Sequence, residues 1–146
     1  MISKSTETPN ADVPPGDWIW FPEGDPARDA PVAARTFRRV IDLPADMRVK
    51  RAALAVTADD RCSVWLNGEE LGSHGDWHTL LRLDDIGTRL KPGRNVLAIR
   101  AENVKADVPK NPAGLICGLS VEVEYGPRME VVSDGQWRAS QDEPAG

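Results

Sequence analysis

Alternation of apolar and polar side chains with a period of two limits the fold of this chain more than any other feature of its sequence. In GLICGLSVEVEY, residues 114–125, odd positions from Leu115 to Tyr125 are apolar, whereas Ser120, Glu122 and Glu124 occupy even positions. This pattern predicts a half-buried β-strand with Tyr125 on its inward face. No window of eleven or more residues keeps the apolar spacing of three and four typical of a helix. We therefore expect strands and little regular helix.

Turn signals separate the other alternating segments. Asn67-Gly68 lies between SVWL and EELG, and both residues tolerate the positive φ of a type I′ hairpin. Asn67 is therefore interpreted first as a turn residue and only second as a ligand contact. Pro92-Gly93 fits the second and third positions of a type II turn. LDDIGTRL, residues 83–90, is expected to form one short turn. Short strands bounded by such turns predict an all-β fold, an antiparallel β-sandwich or jelly roll.

One segment alternates imperfectly. In TFRRVIDL, residues 36–43, Arg39 interrupts the apolar positions Phe37 and Ile41, which we interpret as a bulge or an edge position. The basic run of Arg35, Arg38 and Arg39 is interpreted as a solvated or edge face and is given no function.

Length and charge limit the domain count and the partners. The 146 residues suit one domain, and the formal net charge of -5 disfavours nucleic acid and anionic membranes as partners. Residues 1–16 are predicted to be a flexible tether, residues 17–140 the sandwich and residues 141–146 a tail or linker. The first sixteen residues contain no apolar stretch, so neither a signal peptide nor a membrane span is indicated and the compartment stays undetermined.

The two cysteines have neither the number nor the spacing of a zinc site. By alternation, Cys62 shares a face with Val64 and Leu66, and Cys117 shares one with its apolar neighbours, so both are predicted to be buried thiols. A disulfide between them stays open as the alternative.

Six phrases, in this order and spacing, resemble the galactose-binding-like jelly-roll modules found in α-L-rhamnosidases and related glycoside hydrolases. They are WIW at 18–20, ARTFRRVIDLP at 34–44, TADDRCSVWLNGEELG at 57–72, LKPGRNVLAIRAEN at 90–103, PAGLICGLSVEV at 112–123 and SDGQWRAS at 133–140. The resemblance implies a noncatalytic carbohydrate-binding module, accessory to such a hydrolase, with ligands at rim loops or on a concave sheet face. It also allows the alternative of a structural sandwich that packs against neighbouring domains or subunits without binding sugar.

A calcium site near the rim is also implied by the resemblance, since some such modules carry one; no cofactor is otherwise expected. Asp60 continues the inward parity of Leu54, Val56 and Ala58, and Asn103 continues that of Leu97, Ile99 and Ala101. An inward carboxylate needs compensation, which a hard cation or a cluster of hydrogen-bond donors supplies, and calcium fits that need. We therefore predict Asp59, Asp60 and Asn103 as ligands, together with backbone carbonyls of residues 104–113. The alternative that Asp59 and Asp60 cap a turn stays open.

Sugar recognition needs an aromatic face and a few polar groups beside it. Trp77 is the first candidate, with Asp76 and His78 beside it in SHGDWHT. Asn103 and Asn111, at the start of and within the polar loop before Gly114, complete the predicted sugar contacts. The alternative is that Trp77 packs against its own domain.

Independent catalysis is not expected. No carboxylate pair is singled out for glycoside hydrolysis, and the chain is shorter than the roughly 250 residues of a typical barrel enzyme. It also lacks the G-x-S-x-G and H-E-x-x-H motifs. The expected partners are carbohydrate and neighbouring domains of a larger enzyme.

Overall fold

The computed structural model describes residues 16, 19–20, 33–75, 80–84, 86–103 and 114–140. Within these residues the chain forms nine strands and one single-turn 3-10 segment, Gly87–Arg89. The strands are β1 (Ala33–Leu43), β2 (Val49–Asp59), β3 (Arg61–Leu66), β4 (Glu69–His74), β5 (Leu81–Leu83), β6 (Gly93–Asn103), β7 (Gly114–Val123), β8 (Met129–Val132) and β9 (Arg138–Ser140). No helix in the described part of the chain is long and apolar enough to cross a membrane.

The strands form two sheets in which every paired neighbour is antiparallel. The first is five-stranded, with the order β4-β3-β6-β1-β9, and the second is four-stranded, with the order β5-β2-β7-β8. Asp60 alone connects β2 of the four-stranded sheet to β3 of the five-stranded sheet. The predicted all-β antiparallel sandwich is therefore confirmed.

The core lies between the inward faces of the two sheets, as the alternation predicts. Its most deeply buried side chains include Leu54 and Val56 of β2, Val64 of β3, Ile99 of β6 and Leu115 of β7, each with none of its surface exposed. Successive side chains of a strand point to opposite sheet faces, so the alternating apolar residues lie together in one layer. The hydrophobic effect over this layer holds the two sheets together.

Both cysteines are buried free thiols, so the predicted burial is confirmed and the alternative disulfide is not formed. Burial raises the pKa of the Cys62 thiol to about 12. Burial also raises the pKa of Cys117, while the hydrogen bond with Ser133 acts in the opposite direction. Desolvation disfavours the thiolate at both positions, which marks them as packing residues.

Part of the aromatic lead before β1 packs on the sandwich. Ile19 exchanges backbone hydrogen bonds with Leu115, from N to O at 2.8 Å and in return at 2.9 Å. The ring of Trp20 lies 5.5 Å from that of Phe37, centroid to centroid, at an interplanar angle of 51°. Trp20 therefore packs against the core residue Phe37. Residues 1–15, 17–18 and 141–146, which include the predicted tether and tail, lie outside the described residues.

The predicted turns form where the sequence places them. Asn67 and Gly68 have φ values of 52° and 86°, and both positive angles fit the type I′ hairpin between β3 and β4. Gly93 has a φ of 85°, which fits the third position of a type II turn after Pro92. The short turn predicted in residues 83–90 is the 3-10 segment.

The strand predicted for residues 114–125 is shorter in the structure, and Tyr125 lies outside it. It is fully exposed and has a φ of 57°, because β7 ends at Val123 and the chain turns over the next residues. The alternation therefore extended two residues too far, since a turn can follow the same apolar-polar order without keeping its faces.

The structure decides between the alternatives given for the arginines of β1. β1 pairs with β6 from Ala33 to Leu43 without a register shift, so Arg39 marks no bulge. Arg39 lies at an edge position instead, because β9 pairs with β1 only from Thr36 to Arg38. Its guanidinium instead reaches Gln136 Oε1 at 2.8 Å, beyond the three positions at which β9 pairs with β1. Arg35 is buried rather than solvated, with Nη1 donating to the carbonyl of Ala34 at 2.8 Å.

Candidate functional site

One end of the sandwich, here called the rim, gathers the strand ends to which the predicted site residues belong. Register pairs bring these ends together: Ala33 with Asn103, Arg61 with Glu102, and Asp59 with Gly114. The amide of Asp60 donates to the carbonyl of Glu102 at 2.8 Å, which joins the crossing between the sheets to the end of β6. The rim is therefore a fixed backbone junction from which residues 104–113 depart.

The described members of the predicted calcium set meet at this rim. Asn103 is fully buried, as predicted from its parity, whereas Asp60 is half-buried. Their oxygens are the donor type that calcium prefers, but the two side chains supply at most three of the six to eight oxygens it takes. The Asp59 side chain and residues 104–113 lie outside the described part of the chain. Among described residues no cluster of three His, Cys, Asp or Glu is placed to hold a metal, so calcium binding stays a prediction.

The predicted sugar contacts lie largely outside the described residues. These are Trp77, Asp76, His78 and Asn111. Gly75, the last described residue before Asp76, lines a groove next to the rim.

The groove has a volume of about 380 Å³ and is formed by strands β3, β4 and β6. It is lined by Arg61, Cys62, Ser63, Ser73, His74, Gly75, Arg100 and Glu102. Register places Ser63 between Ser73 and Arg100, and Arg61 opposite Glu102, so these five side chains share the outer face of the five-stranded sheet. The volume falls in the range of small-molecule sites, which runs from about 300 to 1,000 Å³.

Glu102 stands between two arginines in the groove. Arg100 Nη1 donates to its Oε2 at 3.4 Å, and Arg61 Nη1 lies 3.8 Å from its Oε1. Both distances exceed the roughly 2.7–2.9 Å of a tight charge-assisted hydrogen bond. About a third of the Arg100 and Glu102 side chains and 65% of the Arg61 side chain are exposed. The trio therefore places hydrogen-bond donors and one acceptor along the groove.

An aromatic side chain lies on the same sheet face. Trp65 follows Ser63 at the next outward position of β3 and pairs in register with Ala98 and Glu70. It is half-buried, so part of its indole surface is accessible. Hydroxyls, guanidinium groups, a carboxylate and an indole together suit a polyol with apolar C–H faces.

Sequence reasoning missed this groove. Its charged members alternate with buried residues in ordinary strands, where an outward charge is typical of a solvated face. Arg61 and Glu102 are also 41 positions apart in the chain, and only the pairing of β3 with β6 brings them together. The pattern R-x-E at the end of β6 was the one local signal of a charged outer row.

Comparisons with known proteins agree with this architecture, although no family model matches the chain. The chain is 37% identical over 150 residues to an α-L-rhamnosidase of Streptomyces avermitilis, a match that covers 96% of the chain. The chain thus spans only 13% of the length of that relative. A crystal structure of Streptomyces avermitilis α-L-rhamnosidase complexed with L-rhamnose matches 90% of the chain, and the chain covers 13% of it, with a TM-score of 0.78 and 35% identity.

Two further solved structures share the fold at lower identity. A Pleurotus ostreatus lectin in complex with GalNAc matches 90% of the chain, and the chain covers 38% of it, with a TM-score of 0.73 and 25% identity. A GH78 family rhamnosidase of Bacillus sp. GL1 matches 86% of the chain, and the chain covers 13% of it, with a TM-score of 0.65 and 28% identity. The resemblance to the galactose-binding-like jelly-roll modules of α-L-rhamnosidases and related glycoside hydrolases is thereby confirmed for this chain, which matches one domain-sized part of such an enzyme.

Proposed function

We propose that this chain is a noncatalytic carbohydrate-binding module that serves a glycoside hydrolase such as an α-L-rhamnosidase. The observation that carries the proposal is the polar groove at the rim, in which Arg61, Arg100 and Glu102 stand beside two serine hydroxyls. The match to part of a rhamnosidase and the shared fold with a lectin crystallised with GalNAc support it. A weakly binding module acts by raising the effective concentration of the linked enzyme at its glycan.

The groove supplies complementary roles for sugar hydroxyls. Glu102 accepts hydrogen bonds, while Arg61 and Arg100 donate to neighbouring hydroxyl oxygens from planar groups. Ser63 and Ser73 add hydroxyls that both donate and accept.

The residues predicted from sequence extend this proposed site toward the segments that leave the rim. Trp77 would stack on the sugar, with Asp76, His78 and Asn111 as polar contacts. A calcium ion would be held by Asp59, Asp60 and Asn103. Asn103 would also contact the sugar, so the ion would lie close to it. When bound, calcium would order these oxygen donors and present a positive charge to hydroxyl oxygens.

The chemistry of the groove supports binding rather than hydrolysis. Among the described residues that line it, Glu102 is the single carboxylate. Glycoside hydrolysis ordinarily needs two carboxylates across the scissile bond. The chain also matches only 13% of the length of the rhamnosidase relative, which leaves the remainder of such an enzyme for catalysis.

Calorimetric titration of the full chain tests the proposal. The probes are L-rhamnose and N-acetylgalactosamine, followed by a panel of neutral oligosaccharides, each with calcium and with a chelator. We expect saturable binding with a Kd of about 0.1–1 mM for at least one probe, that is, about 4–5.5 kcal/mol. Arg100→Ala and Trp77→Ala should each weaken it at least tenfold.

The matched control is Arg82→Ala, which removes an exposed arginine of β5 on the other sheet and should leave the affinity unchanged. Flat titrations for every sugar would overturn the proposal in favour of a structural sandwich that packs against neighbouring domains. Saturable binding that survives both Arg100→Ala and Trp77→Ala would place the sugar elsewhere and overturn the assigned site.

A further inference from the structure

We propose that Trp65 forms a second sugar subsite next to the groove, so that the chain selects oligosaccharides over single sugars, an inference that rests on the proposed carbohydrate binding and adds the length of the ligand. The observation behind it is a pair of side chains in the register row that follows the groove on the same sheet face. They are the indole of Trp65 on β3 and the exposed carboxylate of Glu70 on β4.

The strand register puts the second subsite in line with the first. Arg61 and Ser63 are the outward residues of β3 that line the groove, and Trp65 is the next outward residue of the strand. Antiparallel strands rise about 3.4 Å per residue, so Trp65 lies about 7 Å beyond Ser63. A sugar ring held over Arg61 and Ser63 would therefore have the next unit of its glycan at the indole.

The residues along this path on β3 and β4 are accessible. Ser73 pairs with Ser63, and Glu70 pairs with Trp65. Both β4 residues are exposed, while both β3 residues are half-buried. In the order of the described strands, β4 is at the edge of its sheet. A glycan can therefore run from the two serines to the indole along the β4 side of the sheet.

A β-bulge sets the partner of Trp65. Val64 pairs with Gly72 and Trp65 pairs with Glu70, which leaves Leu71 as the extra residue on β4. Leu71 is partly buried and packs against the core. An unbroken register would pair Trp65 with Leu71. The bulge therefore turns the leucine toward the core and places a carboxylate beside the indole on the outer face.

The indole and the carboxylate supply the two kinds of contact that a sugar ring makes. The indole offers an apolar face to the C–H surface of the ring, and Glu70 accepts hydrogen bonds from its hydroxyls. A protein docked on Trp65 would take Glu70 out of water, which is costly for a carboxylate without a paired cation. A glycan instead leaves Glu70 hydrated and hydrogen-bonded, so the row fits a sugar better than a protein surface.

Titration with glycans of increasing length tests the second subsite. The full chain is titrated with the mono-, di-, tri- and tetrasaccharides of rhamnose, galactose, glucose, mannose and xylose. In at least one series we expect the affinity to rise about tenfold or more from the monosaccharide to the di- or trisaccharide and then to level off. Trp65→Ala should reduce this gain to below about threefold and leave the monosaccharide affinity unchanged, because the groove holds the first unit.

Three further variants make the result specific. Trp65→Phe keeps an aromatic face and should retain most of the gain. Glu70→Gln changes an exposed residue of an edge strand, so it tests the same subsite without the loss of a half-buried side chain, and it should also reduce the gain. Tyr125→Ala is the matched control, since it removes a fully exposed aromatic from the turn after β7, and it should leave every affinity unchanged. Circular dichroism checks that each variant retains the fold.

The outcomes separate the second subsite from the proposed function. Saturable binding with equal affinity for single sugars and their oligomers overturns the second subsite and leaves the proposed function standing. A gain with length that both Trp65→Ala and Glu70→Gln retain also overturns it, because the added units then lie elsewhere. An equal loss of monosaccharide and oligosaccharide affinity in Trp65→Ala would place the indole in the first subsite and overturn it as well. No binding of any sugar overturns both proposals.

Discussion

Asn67 and Asn95 join two turns at the end of the sandwich opposite the rim. Asn67 Nδ2 donates to Asn95 Oδ1 at 3.0 Å, and Val96 N donates to Asn67 Oδ1 at 2.9 Å. The fully buried Asn95 also accepts from Lys91 N at 2.9 Å and donates to Lys91 O at 2.8 Å. One side chain thus ties the β3–β4 hairpin to the turn that precedes β6.

Replacement of Asn95 should destabilise the fold strongly. Asn95→Ala leaves the backbone groups of Lys91 and the Asn67 amide without their partner, so we expect a loss of about 2–4 kcal/mol in the free energy of unfolding. Urea denaturation measures this loss. Asn67→Gly keeps the positive φ but removes the amide, and should lose less, about 1 kcal/mol. An Asn95→Ala variant as stable as the parent would show that the network contributes nothing.

The buried thiols should be chemically silent in the folded protein. Since burial raises the pKa of Cys62 to about 12, its thiolate is scarce at pH 8, and a thiol reagent such as dithionitrobenzoate should react only after unfolding. Two thiols per chain should then be titrated in denaturant. Rapid reaction of either thiol without denaturant would contradict the packing described for both.

The same thiol gives the stability a defined response to pH. The pKa of the Cys62 thiol is higher in the folded state than in the unfolded state. Its contribution to the free energy of unfolding is therefore fully present below the unfolded pKa near 9.0 and is lost as pH rises toward about 12. Stability should therefore fall from pH 9 upward, and less steeply in Cys62→Ala than in the parent. Parallel curves for the two proteins in denaturant titrations across this range would rule out the thiol as the cause.

The exposed ion pair between Arg51 and Glu122 makes the stability depend on pH in the opposite direction. The hydrogen bond from Arg51 Nε, 2.6 Å from Glu122 Oε2, holds the pKa of Glu122 below its usual range. Its contribution to stability is present above the unfolded pKa and is lost as pH falls through the lowered value. Arg51→Gln should raise the pKa of Glu122 toward 4.5, measured by NMR titration of the carboxyl carbon. Arg82→Gln is the control, and an unchanged pKa in Arg51→Gln would contradict the assignment.

Calcium should stabilise the chain if the predicted rim site binds it. A ligand that binds only the folded state adds RT ln(1 + [L]/Kd), or about 2.7 kcal/mol at a hundredfold excess over Kd. We therefore expect calcium chloride to raise Tm, and Asp60→Ala to abolish the increase. Asp46→Ala, at the exposed turn between β1 and β2, is the control. No rise in the parent at 10 mM calcium would count against the site.

Local chemistry predicted the strands and turns well, because alternation and positive φ act within a few residues. Asn67-Gly68, Gly93, Cys62 and Asn103 all lie as expected. Tyr125 was misplaced because the apolar-polar order continues into the turn, and the Gly126-Pro127 turn signal comes only after it.

The groove was beyond the reach of sequence patterns because it is a product of register. Nothing in the chain near Arg61 indicates that β6 rather than β2 becomes its neighbour and brings Glu102 opposite. The predicted Trp77, Asp76, His78 and Asn111 contacts and the calcium site stay predictions, and the titrations above are their test.

The single-residue crossing at Asp60 has a consequence for how such a module can change over evolution. The crossing fixes the start of β3 against the end of β2, and strand pairing holds His74, Asn103 and Gly114 in register around it. The described hydrophobic core is formed mainly by the strands, which keep their pairing when a connection between them changes in length. New ligand preferences can therefore arise at the rim while the two sheets and the core between them stay unchanged.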